Sequence, residues 1–145
     1  MRIAVGSDHG GYRLKGDVIA HLVGLGHDVE DVGTHDGASC DYPDVAQVGC
    51  QRLLEGAIDR LVLVCGTGQG MAIAANKHAG VRAAVVADTF SASMASAHND
   101  AAVLCLGERV LGVGLALACV DAWLNTAFEG GRHARRVEKI EAPAR

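Results

Sequence analysis

Cys65 closes an apolar run, Leu61-Val62-Leu63-Val64, and is followed at once by Gly66-Thr67-Gly68-Gln69-Gly70-Met71. An apolar run closed by glycine reads as a buried parallel strand. The Ala-rich run after it, Ala72-Ile73-Ala74-Ala75-Asn76-Lys77, reads as a helix. A glycine-rich loop between strand and helix can turn several backbone N–H groups toward one point, at the positive end of a helix dipole. The sequence thus predicts an anion site with a thiol beside it, in surroundings that favour the thiolate. Several known loops are excluded. No Gly-Lys-Ser/Thr closes it, as a Walker A loop requires. Met71 stands where a cysteine phosphatase loop wants an arginine, and Gly68 rules out a Cys-x-x-Cys redox pair. The first strand–helix turn, Gly6-Ser7-Asp8-His9-Gly10-Gly11, is not a dinucleotide fingerprint. Taken alone, the Cys65 loop also fits a tight turn with a buried cysteine.

Three other clusters carry chemistry-bearing side chains. Asp8-His9-Gly10-Gly11 fits a helix cap, and equally a carboxylate and an imidazole at the rim of a sheet. His98-Asn99-Asp100 fits a turn, or a general acid/base near neutral pH. Gly131-Arg132-His133-Ala134-Arg135-Arg136 is the densest positive charge in the chain and fits a solvated helix face. Arg132 and Arg136 are spaced i, i+4, so a helix would put both guanidinium groups on one face, where they could fork onto phosphate oxygens. Arg109, in Gly107-Glu108-Arg109-Val110, is a candidate third. Asp8, His9, Cys65 and His98 could in principle meet around a metal, but no HExxH and no paired-cysteine spacing is present, so no metal is expected.

The elements that must position these residues alternate along the 145-residue chain. Strands are predicted at residues 2–6, 28–32, 61–65, 82–87 and 102–106. Helices are predicted at 12–25, 45–54, 71–78, 91–97 and 113–126, with the basic tail helical over 135–141. A polar loop at 33–44 carries Cys40 and the Asp41-Tyr42-Pro43-Asp44 turn. Strand–helix units in series imply a single-domain, three-layer α/β/α sandwich around a five-stranded parallel, Rossmann-like sheet. Ligands in such sheets sit beyond the carboxyl ends of the strands. That rule puts Asp8-His9, residues 65–70 and, less directly, His98-Asn99-Asp100 on one rim.

Composition fits this fold: half the residues are hydrophobic, 19 are glycine and two are proline. A net charge of −4 argues against nucleic acid or an anionic membrane as partner. No apolar run approaches the ~20 residues needed to span a bilayer. The five cysteines form no metal-type pairs and are odd in number, which suits free thiols in a reducing cytoplasm.

Together these pieces resemble the ribose-5-phosphate isomerase B family, which includes the galactose-6-phosphate isomerase subunits. The resemblance is carried by Gly6-Ser7-Asp8-His9-Gly10-Gly11, Asp41-Tyr42-Pro43, Cys65-Gly66-Thr67-Gly68-Gln69-Gly70, Ala74-Ala75-Asn76-Lys77, His98-Asn99-Asp100, Gly107-Glu108-Arg109-Val110 and Gly130-Gly131-Arg132-His133-x-x-Arg136. One branch of that family places a glutamate base where this chain has Met71; Cys65 matches the cysteine-base branch. The His-Asn-Asp triplet and the Gly-Gly-Arg-His tail match the pentose-phosphate members. His78 and Cys40 are small departures.

The resemblance implies interconversion of ribose 5-phosphate and ribulose 5-phosphate through an enediolate, without cofactor or metal. It implies Cys65 as base, Thr67 as proton relay, and His98, helped by Asp8, as ring opener. Substrate would be held by His9, Tyr42, Gly66, Gly68, Gly70, Asn99, Arg109, Arg132 and Arg136. It also implies a homodimer, open to pairing into a tetramer, with active sites shared between subunits. A hexose-6-phosphate isomerase and a non-catalytic sugar-phosphate binder are the alternatives.

Overall fold

The computed structural model describes residues 1–142. Five parallel strands form one sheet in the order β2-β1-β3-β5-β4. They are β1 (Arg2–Ser7), β2 (Asp28–Asp31), β3 (Arg60–Cys65), β4 (Ala83–Val85) and β5 (Val103–Gly107). The helices are α1 (Tyr12–Gly24), α2 (Tyr42–Leu54), α3 (Gln69–Ala75), α4 (Thr89–Asn99), α5 (Val113–Leu124) and α6 (Arg132–Glu141). The predicted three-layer sandwich is the observed one.

Alternation along the central strands decides which helix covers which face. Ile3, Val5, Val62, Val64, Leu104 and Leu106 face α1, α4 and α5. Ala4, Leu61, Leu63, Cys65, Val103 and Cys105 face α2 and α3. Both faces of β3 are therefore covered, which is why its sequence reads as an unbroken apolar run. Cys65 belongs to the α2/α3 face. In α1, Leu14, Val18 and Leu22 repeat every four residues on the buried side, and Gly26 follows the helix end at φ 83°, where a glycine backbone is favoured.

Several boundaries differ from expectation for local reasons. Helix α2 starts at Tyr42 rather than Val45, because Asp41-Tyr42-Pro43 forms its first turn and proline suits that position. Helix α3 is shorter than predicted, seven residues from Gln69, so its dipole is weak and the loop's own N–H groups matter more. Strand β4 keeps only three residues, as befits a strand at the sheet edge. Helix α6 starts at Arg132, earlier than predicted.

The rim that carries Cys65 is set by close backbone packing. A Cβ on Gly11 would lie 2.6 Å from the carbonyl carbon of Val64, so the turn after β1 can rest on the end of β3 only as glycine. We predict that Gly11→Ala destabilises the protein by about 1–3 kcal/mol, the usual range for overpacking. Urea unfolding would measure it, and an unchanged midpoint would show that the turn yields freely.

Candidate active site

Cys65 is the last residue of β3 and is 5% exposed. Its Sγ accepts a hydrogen bond from the Gly68 N–H at 3.1 Å. Gly68 holds φ 80°, the left-handed conformation that turns this N–H back onto the sulfur. The loop is pinned from below by β5: a Cβ on Gly107 would lie 2.7 Å from the carbonyl carbon of Thr67. Thr67 is exposed at the tip, and its hydroxyl is 3.4 Å from the Gln69 N–H. A backbone N–H is thus aimed at the Cys65 sulfur, with a hydroxyl two residues on.

Four further side chains share this rim. Asp8 is 7% exposed and caps the short 3-10 turn His9–Gly11, its Oδ1 accepting from the Gly10 N–H at 2.9 Å. The same turn presses on the Cys65 loop, since a Cβ on Gly10 would lie 3.2 Å from the Gly66 nitrogen. His9 is exposed, and its Nδ1 accepts from the Cys40 N–H at 3.3 Å, which leaves Nε2 as the outward donor of the neutral ring. The Tyr42 ring lies over Gly70, 2.7 Å from where a Cβ would stand. The Arg109 guanidinium lies over Gly66, 3.4 Å from such a Cβ there. An exposed cation, an imidazole, a phenol, a carboxylate and a thiol therefore surround one glycine nest, at the β1/β3 switch point where parallel sheets take ligands.

His98 and Asn99 lie elsewhere, which corrects the expectation of a single rim; Arg132 and Arg136, expected at a site shared between subunits, lie on the same far side as His98. Helix α4 leaves the carboxyl end of β4 and runs back, so its last turn reaches the amino ends of the strands. Arg82, just before β4, confirms the level: its Nε donates to the Asn99 carbonyl at 2.8 Å and its Nη2 to the Asp100 carbonyl at 2.9 Å. Eleven residues at ~1.5 Å each put about 16 Å between the two ends of α4. Helix α6 starts at this far end, where the Glu129 N–H donates to the Ala97 carbonyl at 3.0 Å. Arg132 and Arg136 are both exposed along it.

The far cluster holds two residues absent from the expected site, His133 and Glu129. The His98 and His133 rings stack with centroids 4.1 Å apart and planes 3° apart. Glu129 Oε2 lies 3.4 Å from His133 Nε2 and 3.9 Å from His98 Nε2. Burial, then the charges of His98 and Arg132, push the His133 imidazole below its ordinary range, against the opposing pull of Glu129. Among the described residues these three form the one His/carboxylate group whose ligand atoms lie within 4.8 Å of one another. The two ring planes are parallel, so in-plane lone pairs of the two rings do not meet at one point as they stand. Glu108 is another residue the motifs named without a role: its Oε2 accepts from the Leu14 N–H at 3.0 Å, capping the first turn of α1 from the end of β5.

Of the remaining cysteines, Cys50, Cys105 and Cys119 are buried in the core and Cys40 is half-buried in the loop before α2. Burial pushes the Cys50 thiol up to about 11, and burial raises Cys105 and Cys119 as well. Among the described residues no helix is long and apolar enough to cross a membrane.

The whole arrangement has close relatives. Residues 3–140 match the family model described as Ribose/Galactose Isomerase. The chain is 48% identical to ribose-5-phosphate isomerase B of Escherichia coli, across 97% of this chain and 95% of that one. It is 43% identical to a D-erythrulose-4-phosphate isomerase of Pectobacterium atrosepticum, across 97% and 93%. The solved structure of ribose-5-phosphate isomerase B from Clostridium thermocellum superposes with a TM-score of 0.96 at 50% identity, covering 97% of this chain and 95% of that one. This chain belongs to the ribose/galactose isomerase family.

Proposed function

We propose that the protein is an aldose–ketose isomerase that interconverts ribose 5-phosphate and ribulose 5-phosphate, with Cys65 as the base. The observation that carries the reading is the Gly68 N–H held on the Cys65 sulfur at 3.1 Å, inside a nest where the rest of the 66–70 loop can receive an enediolate. A pure binder of sugar phosphates needs no such sulfur. The E. coli relative at 48% identity favours the pentose phosphate. The Pectobacterium relative shows why other aldose phosphates belong in the assay.

The chemistry runs in three stages: ring opening, deprotonation at C2 and reprotonation at C1. The ring oxygen of the closed sugar takes a proton from His98 while the anomeric hydroxyl gives one up toward Asp8, and the open aldehyde forms. The Cys65 thiolate removes the C2 proton, and the electron pair moves to the C1 oxygen as an enediolate. Loop N–H groups stabilise that charge; one such donor is worth about 10²–10³ in rate. Thr67 passes the O2 proton to O1, and Cys65 returns its proton to C1. His9, Arg109, Arg132 and Arg136 hold the phosphate, and Tyr42 and Asn99 orient the sugar.

The two halves of this machinery lie at opposite ends of one subunit's sheet, so we infer a homodimer in which each Cys65 rim is completed by His98, Asn99, Arg132 and Arg136 of the partner subunit. A surface suited to a partner flanks the rim. A cleft of about 440 Å³ runs between α3 and the edge strand β4, with Ile73 63% exposed beside it and Phe90 73% exposed just beyond the strand. Five free thiols fit a cytoplasmic setting.

Turnover of ribose 5-phosphate, with erythrose 4-phosphate and allose 6-phosphate as comparison, tests the assignment. Cys65→Ala should keep the fold and sugar-phosphate binding while turnover falls by at least about 10³, the scale of losing a covalent or acid–base group. Iodoacetamide should inactivate the enzyme, with substrate protecting it. Substantial turnover in Cys65→Ala would remove the thiol from the mechanism.

The shared site has its own test. Cys65→Ala and Arg136→Ala subunits, each inactive, are unfolded and refolded together. Mixed dimers then carry one doubly mutated site and one native site. Random pairing should restore about a quarter of native activity. If subunit exchange is proven by mass and the mixture stays inactive, both residues serve the same chain's site and the shared-site proposal is wrong.

A further inference from the structure

We propose that His133 is a positioning residue: its buried ring fixes the plane of the His98 imidazole and thereby the line along which the ring-opening proton travels. The inference rests on the reading of His98 given above. His98 ends α4 with 36% of its side chain exposed, and among the described residues it makes no side-chain hydrogen bond. The Glu129 carboxylate at 3.9 Å is too far for one. What holds the ring is the stack on His133, 4.1 Å between centroids and 3° between planes.

His133 can act as a fixed surface because it is itself fixed. It is 4% exposed, and its N–H donates to the Gly130 carbonyl at 2.9 Å, in the turn that opens α6. Arg132 Nε donates to its Nε2 at 3.3 Å, so in the neutral ring the hydrogen sits on Nδ1. Glu129, 3.4 Å from the same Nε2, would compete for it only if that nitrogen were protonated. The depressed proton affinity of His133 keeps it neutral and acceptor-only there. Two imidazolium rings at this separation would repel each other. His98 is the more exposed of the two, with 36% of its side chain exposed against 6% for His133. One ring moves the proton and the other holds its plane.

The two features of His133 separate in the kinetics. Its ring face acts on kcat through His98, and its ring nitrogen acts on KM through Arg132. The experiment compares His133→Ala, His133→Leu, His133→Phe, His98→Asn and the double variant His98→Asn/His133→Leu, with ribose 5-phosphate as substrate and thermal unfolding as the folding control. His133→Leu fills similar space without a ring face and carries the test if His133→Ala does not fold. We expect His133→Leu to lower kcat by about 10- to 100-fold, the scale of a small misplacement of a reacting group. His133→Phe should return kcat to within about threefold of native while KM stays raised. The double variant should be no slower than His98→Asn alone, because the lost ring acts only through the other. Losses that multiply in the double variant would overturn the proposal while leaving the role of His98 standing. So would His133→Phe as slow as His133→Leu in a protein that unfolds at the native temperature. If His98→Asn turns over at the native rate, the reading of His98 itself fails and this inference with it.

Discussion

The end of β3 is gripped between two glycines, and the rest of the site depends on that grip. Gly11 lets the turn after β1 rest on the Val64 carbonyl, with 2.6 Å to a would-be Cβ; Gly107 lets β5 come equally close beneath Thr67, at 2.7 Å. Neither contact leaves room for a methyl group. Because both neighbours are central strands of the sheet, their positions are set by core packing rather than by loop preference. The Cys65 loop is therefore rigid where it must be, and Gly68 can adopt the left-handed backbone that aims its N–H at the sulfur. Preorganised donors of this kind cost no reorganisation when charge develops.

A second constraint is topological. In a parallel sheet, residues that follow a strand stand at one edge, and residues that end a helix stand at the other. Asp8 and Arg109 follow strands and Cys65 ends one; His98 lies in the last turn of a helix. No rearrangement within one subunit brings these edges together without unfolding α4. Where a reaction needs both sets, a second copy of the chain is the economical solution, since a two-fold axis presents each edge to the other twice. The tail helix fits this logic. Glu141, at its end, bonds Arg82 at 2.5 Å and the Gly80 N–H at 3.2 Å, so α6 is tied to the body at its far end while Arg132 and Arg136 stay exposed.

What could be read from the sequence follows from how local each feature is. The Cys65 loop, the Asp8 cap and the order of strands and helices are encoded within short stretches, and all were legible. The location of His98 was legible in principle, because a residue between a helix and the next strand belongs to the amino edge. The rule that ligands gather at the carboxyl edge masked it. Glu108 and His133 were not legible. The carboxylate of Glu108 caps a helix 94 residues away in sequence, and the stack of His133 on His98 joins α6 to α4. Such pairings come from tertiary packing, and only the motif spacing around Arg132 marked that region at all.

Charge placement completes the picture. The chain carries a net −4, yet an anionic sugar phosphate must be attracted. Several acidic residues are paired with basic ones: Asp31 is tied to the buried Lys15 at 2.8 Å, Asp59 to Arg2 at 2.6 Å, and Glu30 to Arg52 at 2.8 Å. These pairs are nearly silent at a distance of a Debye length, about 8–10 Å at physiological salt. Arg109 at one edge, and Arg132 and Arg136 at the other, are exposed and form no salt bridge among the described residues. A doubly charged phosphate within that range meets these unpaired guanidinium groups more directly than the protein's total charge. Joining the two edges across a dimer would place all three on one ligand, which neither edge could match alone.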